Sequence, residues 1–279
     1  MQESESQAKS IVLFSDGTGN SSAKLFKTNV WRMYEAVDLG PVKEGKRKQI
    51  AFYDNGVGTS ALKPLAAIGS VFGIGLRRNV LDIYRYACRN HKEGDSLYGF
   101  GFSRGAFTMR LAIALITDQG LVDSRNETEL KWKSEEAWRA YRARYVPRRW
   151  SGLTKLGRAI GAGWRRLTGA TPGKYDRSKN RDPIIEFVGV WDTVAAYGGP
   201  ITEITRAIDN WIVRLTMFDY KLNPKVRCAR QALSIDDERD AFRPIPWDEV
   251  AEKDGALADR GSDQESEQNA DNDRNERGH

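Results

Sequence analysis

Five residues constrain this chain more than any others. Gly101-Phe102-Ser103-Arg104-Gly105 lies directly after an apolar strand, Ser96–Phe100, and directly before an apolar helix, Ala106–Ile116. A serine between small residues at a strand-to-helix turn is the pattern of a nucleophile elbow. The hydroxyl is a weak nucleophile unless a sharp turn holds it out beside a base and an oxyanion hole. Small residues two positions before and after the serine let strand and helix approach closely at that turn. A bare G-x-S-x-G arises often by chance, and the flanking strand and helix give this one its weight.

At 279 residues the chain can hold one large α/β domain, or one domain with an insertion. Its cysteines, Cys88 and Cys228, lie far apart and fit buried, inert thiols of a reduced chain better than a disulfide framework. No run of about eighteen apolar residues encodes a transmembrane helix. The polar N-terminus, Met1–Ser10, lacks the apolar core of a secretory signal. The expected location is the cytoplasm, or export without a cleavable signal.

The net charge of +6 hides an asymmetry. Residues 131–182 carry fifteen Lys/Arg against four Asp/Glu, together with Trp132, Trp138, Trp150 and Trp164. From Asp248 to the end there are four Lys/Arg against eleven Asp/Glu. Basic residues interleaved with tryptophan suit an anionic surface, lipid headgroups being the expected partner and nucleic acid not. The alternative is a solvated surface with tryptophans packed beneath it.

Along the chain, apolar runs and glycine-rich loops alternate with helical periodicity. Ile11–Phe14 reads as a strand ending at Ser15–Asn20, and Thr28–Val37 as a helix. Gln49–Tyr53 reads as a second strand ending at Asp54–Thr59, then a weakly ordered glycine-rich stretch and a helix over Arg77–Cys88. Lys131–Tyr145 reads as an amphipathic helix, and Ile184–Val190 as a strand stopping at Trp191-Asp192-Thr193. Further helices are expected with Ile204, Ile208, Trp211, Ile212 and Leu215 on one face, and over Val226–Leu233. The domain boundaries that follow are a flexible N-terminus over 1–9 and an α/β domain over 10–250. The basic Trp-rich insertion occupies 131–182, and an acidic, disordered tail 251–279. Strands alternating with helices imply a doubly wound, mostly parallel sheet. Such sheets bind ligands outside the carboxyl ends of their strands, where four of these loops converge.

Ser103 is therefore the candidate nucleophile. Oxyanion donors are expected from the backbone of Arg104 and from Gly17-Thr18, where glycine allows close approach. Asp192, at the end of a late strand, is the candidate acid, in the order Ser…Asp…His. Asp16, Gly56, Val57 and Gly58 are assigned to substrate binding. The histidines of the chain are His91 and His279. His91 precedes the elbow strand, so it is expected on a surface loop at the opposite end of the sheet from Ser103. His279 ends the tail, unpositioned for catalysis. No dinucleotide fingerprint, P-loop lysine or zinc-ligand spacing is present, so no metal or cofactor is expected. Phe14 stands where a haloacid-dehalogenase-type phosphatase would carry its nucleophilic aspartate.

Four ordered motifs carry a resemblance: Phe14-Ser15-Asp16-Gly17-Thr18-Gly19-Asn20, Tyr53-Asp54-Asn55-Gly56-Val57-Gly58-Thr59, Gly101–Ala106 and Gly189-Val190-Trp191-Asp192-Thr193-Val194. Together they resemble a bacterial and fungal α/β-hydrolase family that includes the catalytic domain of type VI secretion phospholipase effectors. The segment Ala232–Arg239, followed by Phe242-Arg243-Pro244, is also similar to a late part of it. The resemblance implies a Ser–Asp–His triad, with Ser103 as nucleophile and Asp192 as acid, and lipase or phospholipase activity on a lipid ester. Members continue past this region into a glycine-rich, histidine-bearing segment that this sequence lacks. The resemblance thus implies a chain truncated before its catalytic histidine, with an incomplete C-terminal sheet edge that invites a partner chain. A non-catalytic binding module that keeps the pocket is the alternative.

Overall fold

The computed structural model describes residues 8–17, 27–41, 45–56, 65–145, 175–193 and 223–235. Strands β1 (Lys9–Ser15), β2 (Lys48–Asp54), β3 (Ser96–Phe102), β4 (Ile185–Trp191) and β5 (Ala229–Ala232) form one sheet in the order β2-β1-β3-β4-β5. Every pairing is parallel. The order reverses between β1 and β3, so the loops after these two strands border the crevice where doubly wound sheets bind ligands.

Helices α1 (Asn29–Glu35), α2 (Leu65–Asn90), α3 (Arg104–Gln119) and α4 (Glu127–Tyr145) provide the crossovers and their cover. Alternation along β1 sorts its side chains to two faces. Val12 and Phe14 pack with Val30 of α1. Ile11 and Leu13 are fully buried in the core. On the α1 face, Phe14 stacks on Phe100 at 5.4 Å between ring centroids, and Phe100 meets Phe187 at 5.7 Å.

Three expectations need correction. Helix α2 begins at Leu65 rather than Arg77, because the glycines of this stretch are tolerated in a helix that continues into a buried apolar face at Leu76, Val80 and Ile83. The expected helix over Val226–Leu233 is instead an approach to β5. Its apolar positions mimic helical spacing, but backbone partners decide: Val188 N–H donates to Cys228 O at 2.9 Å and Asp192 N–H to Ala232 O at 3.0 Å. Third, His91 is buried, with 7% exposure, rather than on a surface loop. Arg181, paired with Leu121 in an antiparallel bridge, donates to the carbonyls of Cys88 (2.8 Å) and His91 and closes the last turn of α2.

That burial has a pH consequence. His91 Nδ1 is buried with no hydrogen-bond partner. Burial, then the charge of Arg181, hold the imidazole pKa below its ordinary value, with Asp95 opposing. The unfolded chain binds a proton that the folded chain refuses, so stability present above about pH 6.5 is lost as pH falls toward the depressed folded value. The expected slope in that window is at most about 1.4 kcal/mol per pH unit. Urea denaturation across it should show this slope in the wild type and a flatter curve in His91→Asn. Two equal curves would contradict it. Cys88 is buried likewise, and its thiol is pushed up to about 12, the inert state expected of it.

The charges of α4 are largely neutralised within the fold. Arg77 and Arg85 both pair with Glu135, Arg89 with Glu127, Lys133 with Glu129 and Arg139 with Glu136. Trp138 and Tyr141 are buried beneath. Of the described basic residues of 131–182, Lys133, Arg139, Arg144 and Arg177 are ion-paired. Residues on either side of 146–174 converge on the end of α3. Arg144 pairs with Asp118, Arg177 Nε donates to Asp118 O at 2.9 Å, and Asn180 Nδ2 donates to Gln119 O at 2.7 Å. Cationic donors at terminal carbonyls also favour the negative end of a helix dipole. The expected helix around Ile204–Leu215, the N-terminal segment 1–7 and the tail 251–279 lie outside the described residues.

Candidate active site

Ser103 connects β3 directly to α3 with φ 54° and ψ −122°, a conformation that L-residues avoid. Its N–H donates to Trp191 O at 2.8 Å, and its carbonyl accepts from Phe107 N–H at 3.2 Å. The hydroxyl does not cap α3. Ser103 is half-buried and sits at the carboxyl edge of the sheet. Arg104 is the first residue of α3, so its peptide N–H lies at the positive end of the helix dipole.

The glycines of the motif have a steric reason. A Cβ on Gly101 would lie 2.6 Å from Ala106 Cα. A Cβ on Gly105 would lie 2.2 Å from Ser15 O and 2.4 Å from Asp16 O. Gly105 therefore lets the first turn of α3 sit directly against the backbone that leaves β1, bringing the Ser103 turn and the Asp16-Gly17 loop together.

Asp192 follows β4 as Ser103 follows β3, immediately after the registered pair Phe102–Trp191. Its φ is 42°. Among the described residues, Ser103 and Asp192 are the non-glycine residues with positive φ. Sparsely populated backbone conformations persist where the surroundings hold them, and they cluster at functional sites. The Asp192 carboxylate accepts from Ser234 N–H, which ties it to the chain leaving β5. Thr193 beside it is fully buried, with its hydroxyl unpaired.

The β1 and β2 loops carry the remaining candidates. Asp16 is 1% exposed, and its carboxylate accepts from Gly17 N–H, Thr28 Oγ1 and Tyr53 OH, each at 2.6 Å. Burial, then the hydrogen bond to Asp16, raise the Tyr53 phenol pKa far above its ordinary value. Asp54 accepts from Ser15 Oγ and Asn79 Nδ2, both at 2.9 Å. Burial raises its carboxyl pKa above the usual range, against the opposing effect of these two donors. Gly56, at φ 75°, faces the same peptide, because a Cβ there would lie 2.5 Å from Asp16 O.

The structure thus brings Asp16, Gly17 and Gly56 together with the first turn of α3, and sets Ser103 and Asp192 on adjacent strand ends. Thr18, Val57 and Gly58 lie outside the described residues. Reading the sequence missed Tyr53 and Thr28 as partners of Asp16, and Ser234 as a partner of Asp192. Only Thr28 left a signal, as a helix-capping residue before α1. His91 is separated from Ser103 by the whole of β3, whose seven residues rise about 20 Å. His279 is outside the described residues. Among the described residues no group of three or more His, Cys, Asp or Glu is placed to hold a metal ion, and no helix is long and apolar enough to cross a membrane.

A family model described as the T6SS phospholipase effector Tle1-like catalytic domain matches residues 9–271. An uncharacterised protein of Saccharomyces cerevisiae, YEL023C, is 28% identical over 148 residues, covering 48% of this chain and 21% of the yeast protein. The match therefore spans about a fifth of that relative's length. No solved structure matches.

Proposed function

Because the chain belongs to the family of the T6SS phospholipase effector Tle1-like catalytic domain, we propose that it is a serine-hydrolase domain directed at lipid esters, with Ser103 as nucleophile and Asp192 as acid. The observation that carries this is the shared positive φ of these two residues at the ends of paired strands. Ser103 Oγ attacks the ester carbonyl. The negative charge that develops on the carbonyl oxygen is met by the Arg104 N–H. Of the donors expected from Gly17-Thr18, the Gly17 N–H is already given to Asp16 Oδ1 at 2.6 Å, which corrects that expectation and leaves Thr18 as the candidate of the β1 loop. The proton leaving Oγ needs a base, and His91 is too distant to be it. Turnover without an imidazole beside Ser103 is expected to be low, by roughly 10⁴- to 10⁶-fold relative to a complete triad. An imidazole from His279 or from a partner chain would restore it.

A second reading, a binding module completed by a partner chain, has one observation in its favour. Leu233 and Ile235, just past β5, are 52% and 96% exposed. Membrane association through the basic block would draw little on the ion-paired Lys133, Arg139 and Arg144 of α4 and would rest on residues 146–174 with the exposed Lys131 and Lys179.

Hydrolysis of a short-chain p-nitrophenyl ester and of phospholipid vesicles, with and without added imidazole, tests the proposal beside Ser103→Ala. The expected result is weak turnover that rises with imidazole and disappears in the variant. Equal rates in both folded proteins under every condition would leave the binding module standing.

A further inference from the structure

The buried carboxylate of Asp16 belongs to a network whose other members lie on two different elements. Its Oδ1 accepts from the Gly17 N–H, and its Oδ2 accepts the hydroxyls of Thr28 and Tyr53. With both oxygens engaged and 1% exposure, it has no face to offer a substrate. Thr28 in turn caps α1, accepting from Trp31 N–H at 3.1 Å. The Tyr53 ring is held edge-on by Trp31 at 5.0 Å and contacts Tyr34 at 5.0 Å. The start of α1 and the end of β2 therefore meet on one side chain, and that side chain fixes the direction of the Gly17 peptide.

The same peptide unit is gripped by backbone contacts. Asp16 N–H donates to Asp54 O at 2.9 Å. The Cα faces of Gly56 and Gly105 both abut Asp16 O. Gly105 is two residues beyond Ser103, so any movement of the Asp16-Gly17 unit is registered at the turn that carries the nucleophile.

We infer that Asp16, Tyr53 and Thr28 form a positioning clamp: the two hydroxyls, acting through the Asp16 carboxylate, hold the Asp16-Gly17 peptide against the first turn of α3 and so fix the turn that presents Ser103 and the Arg104 N–H to the substrate. The inference rests on the serine-hydrolase assignment made above and deepens it. Asp16 becomes a positioning residue rather than a substrate ligand, and Tyr53 and Thr28 become determinants of rate although neither touches the reacting atoms. A misplacement of about 1 Å at such a site can cost on the order of 10²-fold in rate.

The test is the rate at which a fluorophosphonate probe phosphonylates Ser103 in the full chain, with imidazole present. It separates the maximal rate at saturating probe from the probe's half-saturation concentration. Imidazole takes the Ser103 proton as the Oγ–P bond forms and fluoride leaves the probe, so the rate reads the serine and its oxyanion donors with the base held constant. Tyr53→Phe and Thr28→Val are compared with Tyr86→Phe, which removes a phenol bonded to Ala51 O elsewhere in the fold. The expected result is a fall of about 10- to 100-fold in the maximal rate for the two clamp variants. The half-saturation concentration should be little changed, the control should react like the wild type, and the double variant should be no slower than the worse single one. Clamp variants that react at the control's rate, or that change only half-saturation, overturn the clamp and leave the hydrolase assignment intact. A wild-type chain that Ser103→Ala matches in labelling overturns the hydrolase assignment, and the clamp falls with it.

Discussion

Replacing Ser103 with glycine is expected to yield a protein that is more stable than Ser103→Ala and devoid of Ser103-dependent chemistry. The serine sits at φ 54°, ψ −122°. A side chain held there costs on the order of 1–3 kcal/mol, and alanine bears the same cost as serine. Glycine relieves it, less about 0.5–1 kcal/mol for the freedom glycine gains in the unfolded chain. The net difference between the two variants is therefore about 1 kcal/mol in favour of glycine. Both lose the nucleophile, with a fall of roughly 10⁴- to 10⁶-fold in the turnover of a chain supplied with a base. Urea denaturation of the pair, beside an esterase assay, measures both quantities. A glycine variant less stable than the alanine variant would mean that Ser103 is not held under strain.

Gly105→Ala should be the most damaging single-methyl change in the described fold. The new Cβ would lie 2.2 Å from Ser15 O and 2.4 Å from Asp16 O. Both are backbone atoms of a strand end, so no rotamer change can relieve the clash, and either α3 or the β1 loop must move. A loss of about 3 kcal/mol or more is expected, a large part of a typical domain's total stability. Gly99→Ala is the contrast. There the nearest atom is Met109 Sδ at 3.0 Å, the flexible part of a side chain that can swing aside. Its cost should stay below about 1.5 kcal/mol. Denaturation midpoints of the two variants decide the matter, and similar losses would refute the steric account of the elbow.

Much of the sheet and elbow was legible in the sequence, because β1, β3 and β4 carry mostly apolar runs that stop at polar or glycine-rich turns. Such runs signal buried parallel strands. Their polar terminal residues then fall at one edge by topology alone. β5 was not legible. Ala229-Arg230-Gln231-Ala232 carries no strand signal, and it is a strand only because β4 offers its backbone groups. The first turns of α2 were hidden by their glycines. His91 looked exposed because Arg181, which closes the helix end over it, is ninety positions away. Similar separations concealed the Asp16 network. Tyr53 and Thr28 lie thirty-seven and twelve positions from the carboxylate they serve. Local pattern reports which face a residue takes, but not which distant hydroxyl will meet it there.

The anchoring of residues 144 and 177–180 on one helix end bears on how such a domain can change. α3 has sixteen residues and so measures about 24 Å, with Ser103 at its start and the anchors at its finish. A segment whose two flanks are tied at one place is already a closed loop, and lengthening a closed loop costs little. Sequence can be added, removed or exchanged between those anchors while both flanks stay tied to the end of α3. Differences in length between those anchors should therefore leave α3 and the sheet it covers in place.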